Sequence, residues 1–127
     1  MIIDFRNIER KEVDGFKGGN GPFLTKLADD GKVKIMHNIL PAGSSIGLHT
    51  DPINIYENQE RMRELTNESL VGNINESALA TFTFDGKTET ASAGDVHYCP
   101  SGHAHCAENK TSEDAEFFAI VPETGTI

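Results

Sequence analysis

Tryptophan is absent from the 127 residues, and cysteine occurs only as Cys99 and Cys106. Two cysteines do not make the disulfide framework of a small secreted domain, so reduced thiols in a cytoplasmic protein are expected. Basic residues are scarce as well. Eleven Lys and Arg stand against 20 Asp and Glu, a formal charge of −9. Phosphate binding needs clustered Lys and Arg, and here they are scattered, so nucleic acid and anionic membranes are excluded as partners. No apolar run approaches the length of a membrane span. Met1 to Lys11 alternates apolar and charged residues and lacks the apolar centre of a secretory signal. No repeat or linker is visible. The length fits a single domain over residues 1–127 that buries its own core without staples.

What is present is mostly strand signal. Val33–Leu40, Ser45–Thr50, Ala80–Phe84, Lys87–Ala91, Val96–Cys99, His105–Glu108 and Glu116–Val121 read as short strands. Pro41-Ala42-Gly43 ends the first of them, and Asp85-Gly86 is a hairpin turn signal. Met1 to Arg6 also alternates like a strand, whereas Gly15 to Gly21, with four glycines, reads as loop. Many short strands joined by Gly, Pro and Asp-Gly turns predict an all-β sandwich or barrel. The exception is the segment after Thr50. Asp51-Pro52 has the form of a helix N-cap followed by proline at the first helical position. Glu57 to Leu65 is rich in helix formers, with Glu57 and Arg61 four apart. One inserted helix is therefore expected around 52–67, with Ser69 to Gly72 as a strand remnant beyond it. The acidic residues Glu57, Glu60, Glu64, Glu68 and Glu76 read as a solvated face.

The densest pattern lies near the C-terminus. Gly94, Pro100, Gly102, His105 and Asn109 stand at the spacing G-x5-P-x-G-x2-H-x3-N. Upstream, Gly43-Ser-Ser-Ile-Gly-Leu-His49-Thr-Asp51 gives G-x5-H-x-D. The first of these patterns resembles the second signature motif of the cupin family, and the other resembles the opening of that family's first motif. Asp51 stands where the family has a second histidine. The family's glutamate is expected at Ile55 or Tyr56, and the first acid near there is Glu57, followed by Glu60, Glu64 and Glu68. The resemblance implies a cupin double-stranded β-helix, a jelly-roll barrel of two packed sheets open at one end. The stretch from His49 to Gly94 is long for a compact member, which places the helix as an insertion.

In cupins the motif histidines and the glutamate surround one divalent metal, so the resemblance implies His49 and His105 as ligands. Asp51 fits the same face as His49, because side chains at i and i+2 of a strand point the same way. Two imidazoles and a carboxylate form a set that accepts Fe, Mn, Ni, Co or Zn. Asp51 has a competing role as helix N-cap, which would turn its carboxylate onto backbone N–H groups, and Glu57 is then the foremost alternative. Tyr98 and His103 are candidate pocket residues. His103 suits the rim, and alternation in β-strand Val96–Cys99 sets His97 against Val96 and Tyr98 without saying which set faces inward. The pattern also resembles Fe(II)/2-oxoglutarate dioxygenases, but no arginine follows Arg63 and Lys110 is the sole lysine after His105 to hold the cosubstrate.

Two functions follow as expectations. The first is a divalent-metal-binding small-molecule cupin, as a metal-dependent enzyme of dioxygenase, isomerase or lyase type acting in the barrel pocket. The second is a non-catalytic binding or interaction module whose metal site has degenerated. A homodimer is expected in either case, with Met1–Arg6 adding to a partner's sheet edge.

Overall fold

The computed structural model describes residues 1–50, 53–58, 61–67, 69–73, 80–84, 86–100 and 103–125. Its twelve strands in chain order are β1 Lys11–Asp14, β2 Pro22–Asp29, β3 Val33–Leu40, β4 Ser45–Thr50, β5 Ile53–Asn58, β6 Arg61–Asn67, β7 Ser69–Asn73, β8 Ala80–Phe84, β9 Lys87–Ala91, β10 Val96–Cys99, β11 Ala104–Glu108 and β12 Ala115–Gly125. Every pairing is antiparallel. One sheet runs β1-β2-β3-β12, continues from β12 to β7 and β10, and carries the β6-β5 hairpin on the far end of β12. The other runs β4-β11-β8-β9. No helix among the described residues is long and apolar enough to cross a membrane.

The two sheets enclose the core because their strands alternate. Ala115, Phe117, Ala119 and Val121 of β12 are buried, whereas Phe118 and Ile120 between them are exposed. Phe23, Leu40, Ile46, Phe82, Ala107 and Phe117 meet in one cluster, and each large apolar side chain buried there contributes about 1.5–3 kcal/mol. Leu40 and Ala115 pair in register and are fully buried, marking the closed end of the barrel. Asn109 fastens that end. Its Nδ2 donates to the carbonyls of Leu40 at 2.8 Å and Glu113 at 2.7 Å. Its Oδ1 accepts from the N–H and hydroxyl of Thr111, and its backbone exchanges hydrogen bonds with Gly43 and Ser44. The motif asparagine is thus a structural clasp. Gly94 has a job of the same kind. At φ +91 it turns the chain from β9 into β10, and Asp95 closes the turn by accepting from the N–H and hydroxyl of Ser92.

Two expected elements are otherwise. The helix around 52–67 is replaced by a β-hairpin, β5 against β6, with Ile53 opposite Thr66 and Asn58 opposite Arg61. The strong helix formers of Glu57–Leu65 gain only tenths of a kcal/mol each from helical geometry. Pairing β6 with Glu123–Gly125 of β12 joins the segment to a sheet instead, and Ile-Asn-Ile-Tyr alternates as a strand does. Met1–Arg6 is likewise not a strand. Asp4 caps a 3-10 turn at Phe5–Asn7, accepting from the backbone N–H of Arg6, and its carboxylate also holds the Arg6 guanidinium and Asn7. That local cap competes with extended backbone and wins.

Candidate functional site

His49 reaches the interior because β4 is irregular. In the β4–β11 ladder His49 pairs with His105 and Ile46 with Ala107, so Gly47 and Leu48 together stand opposite Cys106. This is a β-bulge, which re-aims the side chains beyond it. Ile46 and His49 are three apart and would face opposite ways on a regular strand. With the bulge both line the same cavity, while Leu48 points to solvent. Gly47 also lets a neighbouring segment in. A Cβ there would stand 2.0 Å from the carbonyl oxygen of Lys17, so the 3-10 turn Phe16–Gly18 lies directly across the bulge. Lys17 itself adopts φ 56 in that turn, and Phe16 stacks on Phe23 at 4.6 Å between ring centroids.

The cavity measures about 130 Å³ and opens between the two sheets. His49 and His105 line it with ring centroids 4.7 Å apart. Their protons can be assigned from their partners. The carbonyl of Gly47 can only accept, so His49 Nδ1–H donates to it at 2.7 Å, which in the neutral ring puts the lone pair on Nε2. Behind His105 stands His97, 3% exposed, which crosses from β10 in the opposite sheet and stacks on Phe82. Glu89 Oε1 accepts from His97 Nδ1 at 2.8 Å. With His97 neutral, its Nε2 accepts from His105 Nδ1 at 3.1 Å, and the lone pair of His105 also falls on Nε2. A metal-binding histidine almost always spends its other nitrogen on a carbonyl, a carboxylate or water; His49 does so directly on Gly47, and His105 reaches the Glu89 carboxylate only through His97. Both histidines therefore fit a divalent ion. Among the described residues no three His, Cys, Asp or Glu side chains converge on one point.

The remaining expected site residues divide. Asp51 lies outside the described residues. Glu57 is carried on β5, which makes it a strand residue rather than part of a helix. Tyr98 does not belong to the pocket: it is 46% exposed on the outer face of β10, because the inward parity belongs to His97 and Cys99. His103 is exposed outside the cavity, its ring against Phe84 at 5.5 Å. Sequence reasoning missed Glu89 as the partner of His97, and it missed Lys17, Lys34 and Asn38 in the cavity wall. The signal for the last two was present but ambiguous. Val33–Leu40 carries polar residues on both faces, so alternation alone does not orient it.

Residues 79–121 match the family model described as the cupin domain. Among solved structures, a predicted oxalate decarboxylase from Thermotoga maritima superposes with a TM-score of 0.78 at 23% identity, covering 97% of this chain and 99% of that one. In fold, the chain is a cupin. A cupin superfamily protein from Desulfitobacterium hafniense gives 0.61 at 17% identity, over 79% of this chain and 76% of that one. A Klebsiella pneumoniae protein with a double-stranded β-helix domain gives 0.67 at 16%, over 97% and 90%. None of the curated proteins matches the sequence. The bulge, the paired histidines and the Asn109 clasp fall inside or beside the two motif regions.

Proposed function

We propose that this cupin binds a divalent metal ion through Nε2 of His49 and Nε2 of His105, and that the ion serves a small molecule held in the cavity. The observation that carries the reading is the pairing of each Nδ1, His49 on the Gly47 carbonyl and His105 on His97 Nε2, which with neutral rings puts both lone pairs on Nε2. A carboxylate from the segment after β4 completes the set, Asp51 or Glu57, because a divalent charge in a largely apolar barrel needs an anionic ligand. A bound ion supplies Lewis-acid polarisation of a substrate oxygen. The protein's part is to fix the imidazoles, exclude water with Phe16 and Phe82, and keep His105 in one tautomer through His97 and Glu89. The description of the Thermotoga neighbour as a predicted oxalate decarboxylase is in keeping with an acid substrate. A cytoplasmic setting and a homodimer belong to the same proposal, supported by two free thiols and by an exposed apolar row on the outer sheet face.

Metal analysis after dialysis against Mn(II), Fe(II), Ni(II), Co(II) or Zn(II) tests it. Near-equimolar metal in the native chain, lost in His105→Ala, is the expected result. Asp51→Asn separates the carboxylates: retained metal points to Glu57. The second reading, a metal-free binding module, is favoured by the lack of a third converging donor among the described residues. Native protein that stays free of metal, or metal content unchanged in both His49→Ala and His105→Ala, establishes that second reading.

A further inference from the structure

Residues 4–10 cross the outer face of the larger sheet, the face away from the cavity, and their contacts converge on His37 and its neighbours. Phe5 meets the His37 ring at 6.2 Å and the Phe118 ring at 5.8 Å between centroids. Its carbonyl accepts from Lys26 Nζ at 2.8 Å. Arg10 donates to the His37 carbonyl at 3.2 Å and to the His37 ring at 2.7 Å. Lys26, His37 and Phe118 stand side by side in register on β2, β3 and β12, and the rings of the last two meet edge-on at 5.2 Å. The segment therefore rests on one row of three side chains. Its own shape is fixed separately, because Asp4 caps the 3-10 turn and pairs with Arg6.

The protonation state of His37 can be assigned from its partners. A guanidinium only donates, so Nδ1 supplies the lone pair that Arg10 Nη2 meets. In the neutral ring the proton is then on Nε2, which donates to Glu116 Oε1 at 2.6 Å. The arrangement suits the neutral ring alone. A second proton would sit on Nδ1, where two N–H donors and two like charges would face each other across 2.7 Å. Solvent screens them poorly, since the His37 side chain is 15% exposed. Lys26, the in-register neighbour on β2, brings a third cation to the row. Glu116 attracts a charged ring, but it stands on β12, so it secures His37 to the sheet and not residues 4–10 to His37. Charging His37 therefore weakens the docking of the segment and leaves the sheet paired. Asp4 is not a trigger in the same range, because its hydrogen bonds from Arg6 hold the carboxyl below its usual value.

We infer that residues 4–10 form a pH-released strap, held on the sheet by neutral His37 and freed when that ring gains a proton. A contact that favours the neutral form is lost as the proton binds. Histidine is the side chain whose charge ordinarily changes between about pH 8 and pH 5, which sets the interval to search. Release uncovers Phe118, already 37% exposed with Phe5 against it, and so enlarges the apolar surface of this face. None of these side chains lines the cavity, so the strap stands or falls apart from the metal reading.

The chain has no tryptophan, so Phe5→Trp places a single indole reporter on the strap. Its emission at about pH 8 should be that of a half-buried indole, and at about pH 5 it should shift to that of an exposed one. His37→Gln, added to the reporter, offers Arg10 an oxygen and Glu116 an N–H without a charge. It should keep the docked emission at both pH values, whereas His37→Lys should give the exposed emission at both. A pH response that survives His37→Gln, or no response with His37 in place, overturns the inference. Because the reporter replaces a docking residue, 15N relaxation of the native chain is measured as well and takes precedence. Backbone heteronuclear NOEs of residues 5–9 should fall between about pH 8 and pH 5, while those of β2 and β3 hold. No fall in the strap, or an equal fall along β2 and β3, refutes it.

Discussion

Two buried asparagines should answer substitution with opposite signs. Asn109 uses both amide hydrogens and its carbonyl oxygen on fixed partners at the closed end of the barrel. Asn109→Ala strands the carbonyls of Leu40 and Glu113 together, and each unsatisfied group costs about 1–3 kcal/mol, so a loss on the order of 3 kcal/mol in urea unfolding is expected. Asn38 already has an orphan oxygen. Asn38→Leu removes the orphan oxygen and has the cavity beside it to take its extra bulk, so it should raise stability by about 1 kcal/mol. A destabilised Asn38→Leu protein would mean that the amide has a structural partner after all. Asn109 was legible from its place in the motif spacing, but its role as clasp was not, since nothing in the sequence identifies the carbonyls it meets. Asn38 gave only an ambiguous signal, because a polar residue in an alternating strand reads equally well as outward-facing.

At the scale of elements, the bulge in β4 decides what the site contains. Gly47 is required there by close approach. Gly47→Ala brings a Cβ to within 2.0 Å of the Lys17 carbonyl, so the turn at Phe16–Gly18 must lift away. We expect a loss of about 2 kcal/mol or more and weaker binding in the cavity, measured by thermal unfolding and calorimetry. An unaltered melting temperature would contradict that packing. The Ser92–Asp95 turn gives a pH prediction. The backbone N–H of Ser92, and then its hydroxyl, hold the Asp95 carboxyl below its ordinary value. A folded pKa below the unfolded one, about 3.9, stabilises above that value, and the contribution is lost as pH falls through the depressed one. The stability of Asp95→Asn should therefore decline less steeply than native below about pH 4; parallel curves would refute this.

The strands from Val33 onward were readable wherever β-branched residues, alternation and Gly or Pro turns agreed, as at Ala80–Phe84 with its Asp85-Gly86 turn. The β5–β6 hairpin was not, because Glu, Arg and Met favour a helix locally while the decisive partner, β12, enters some sixty residues later. Nor was the bulge legible. A one-residue irregularity leaves no mark on hydrophobic periodicity, although Gly47 beside His49 is its residue-level trace.

Across the whole molecule, a chain of formal charge −9 encloses a largely apolar cavity, and one sheet face carries an exposed apolar row. Phe118 aligns through Gly72 with Val96, and Ile120 aligns through Leu70 with Tyr98. Phe118, Ile120, Val96 and Tyr98 are all exposed. A contiguous row of that kind is what a two-fold partner covers. Light scattering at micromolar concentration should give the mass of a dimer, and Val96→Glu with Tyr98→Glu should give that of a monomer. Monomeric native protein would leave the row without this role.

The central claim is that His49 and His105 bind metal through Nε2 while their Nδ1 protons stay on Gly47 and His97. Proton NMR of the cobalt(II)-loaded chain observes it directly. Each ligating imidazole should give one hyperfine-shifted N–H resonance that exchanges slowly and disappears in deuterated water. His49→Ala should remove one such resonance and leave the other. Shifted N–H signals that persist in the His49→Ala, His105→Ala double variant, or their absence from the cobalt-loaded native protein, would contradict the account.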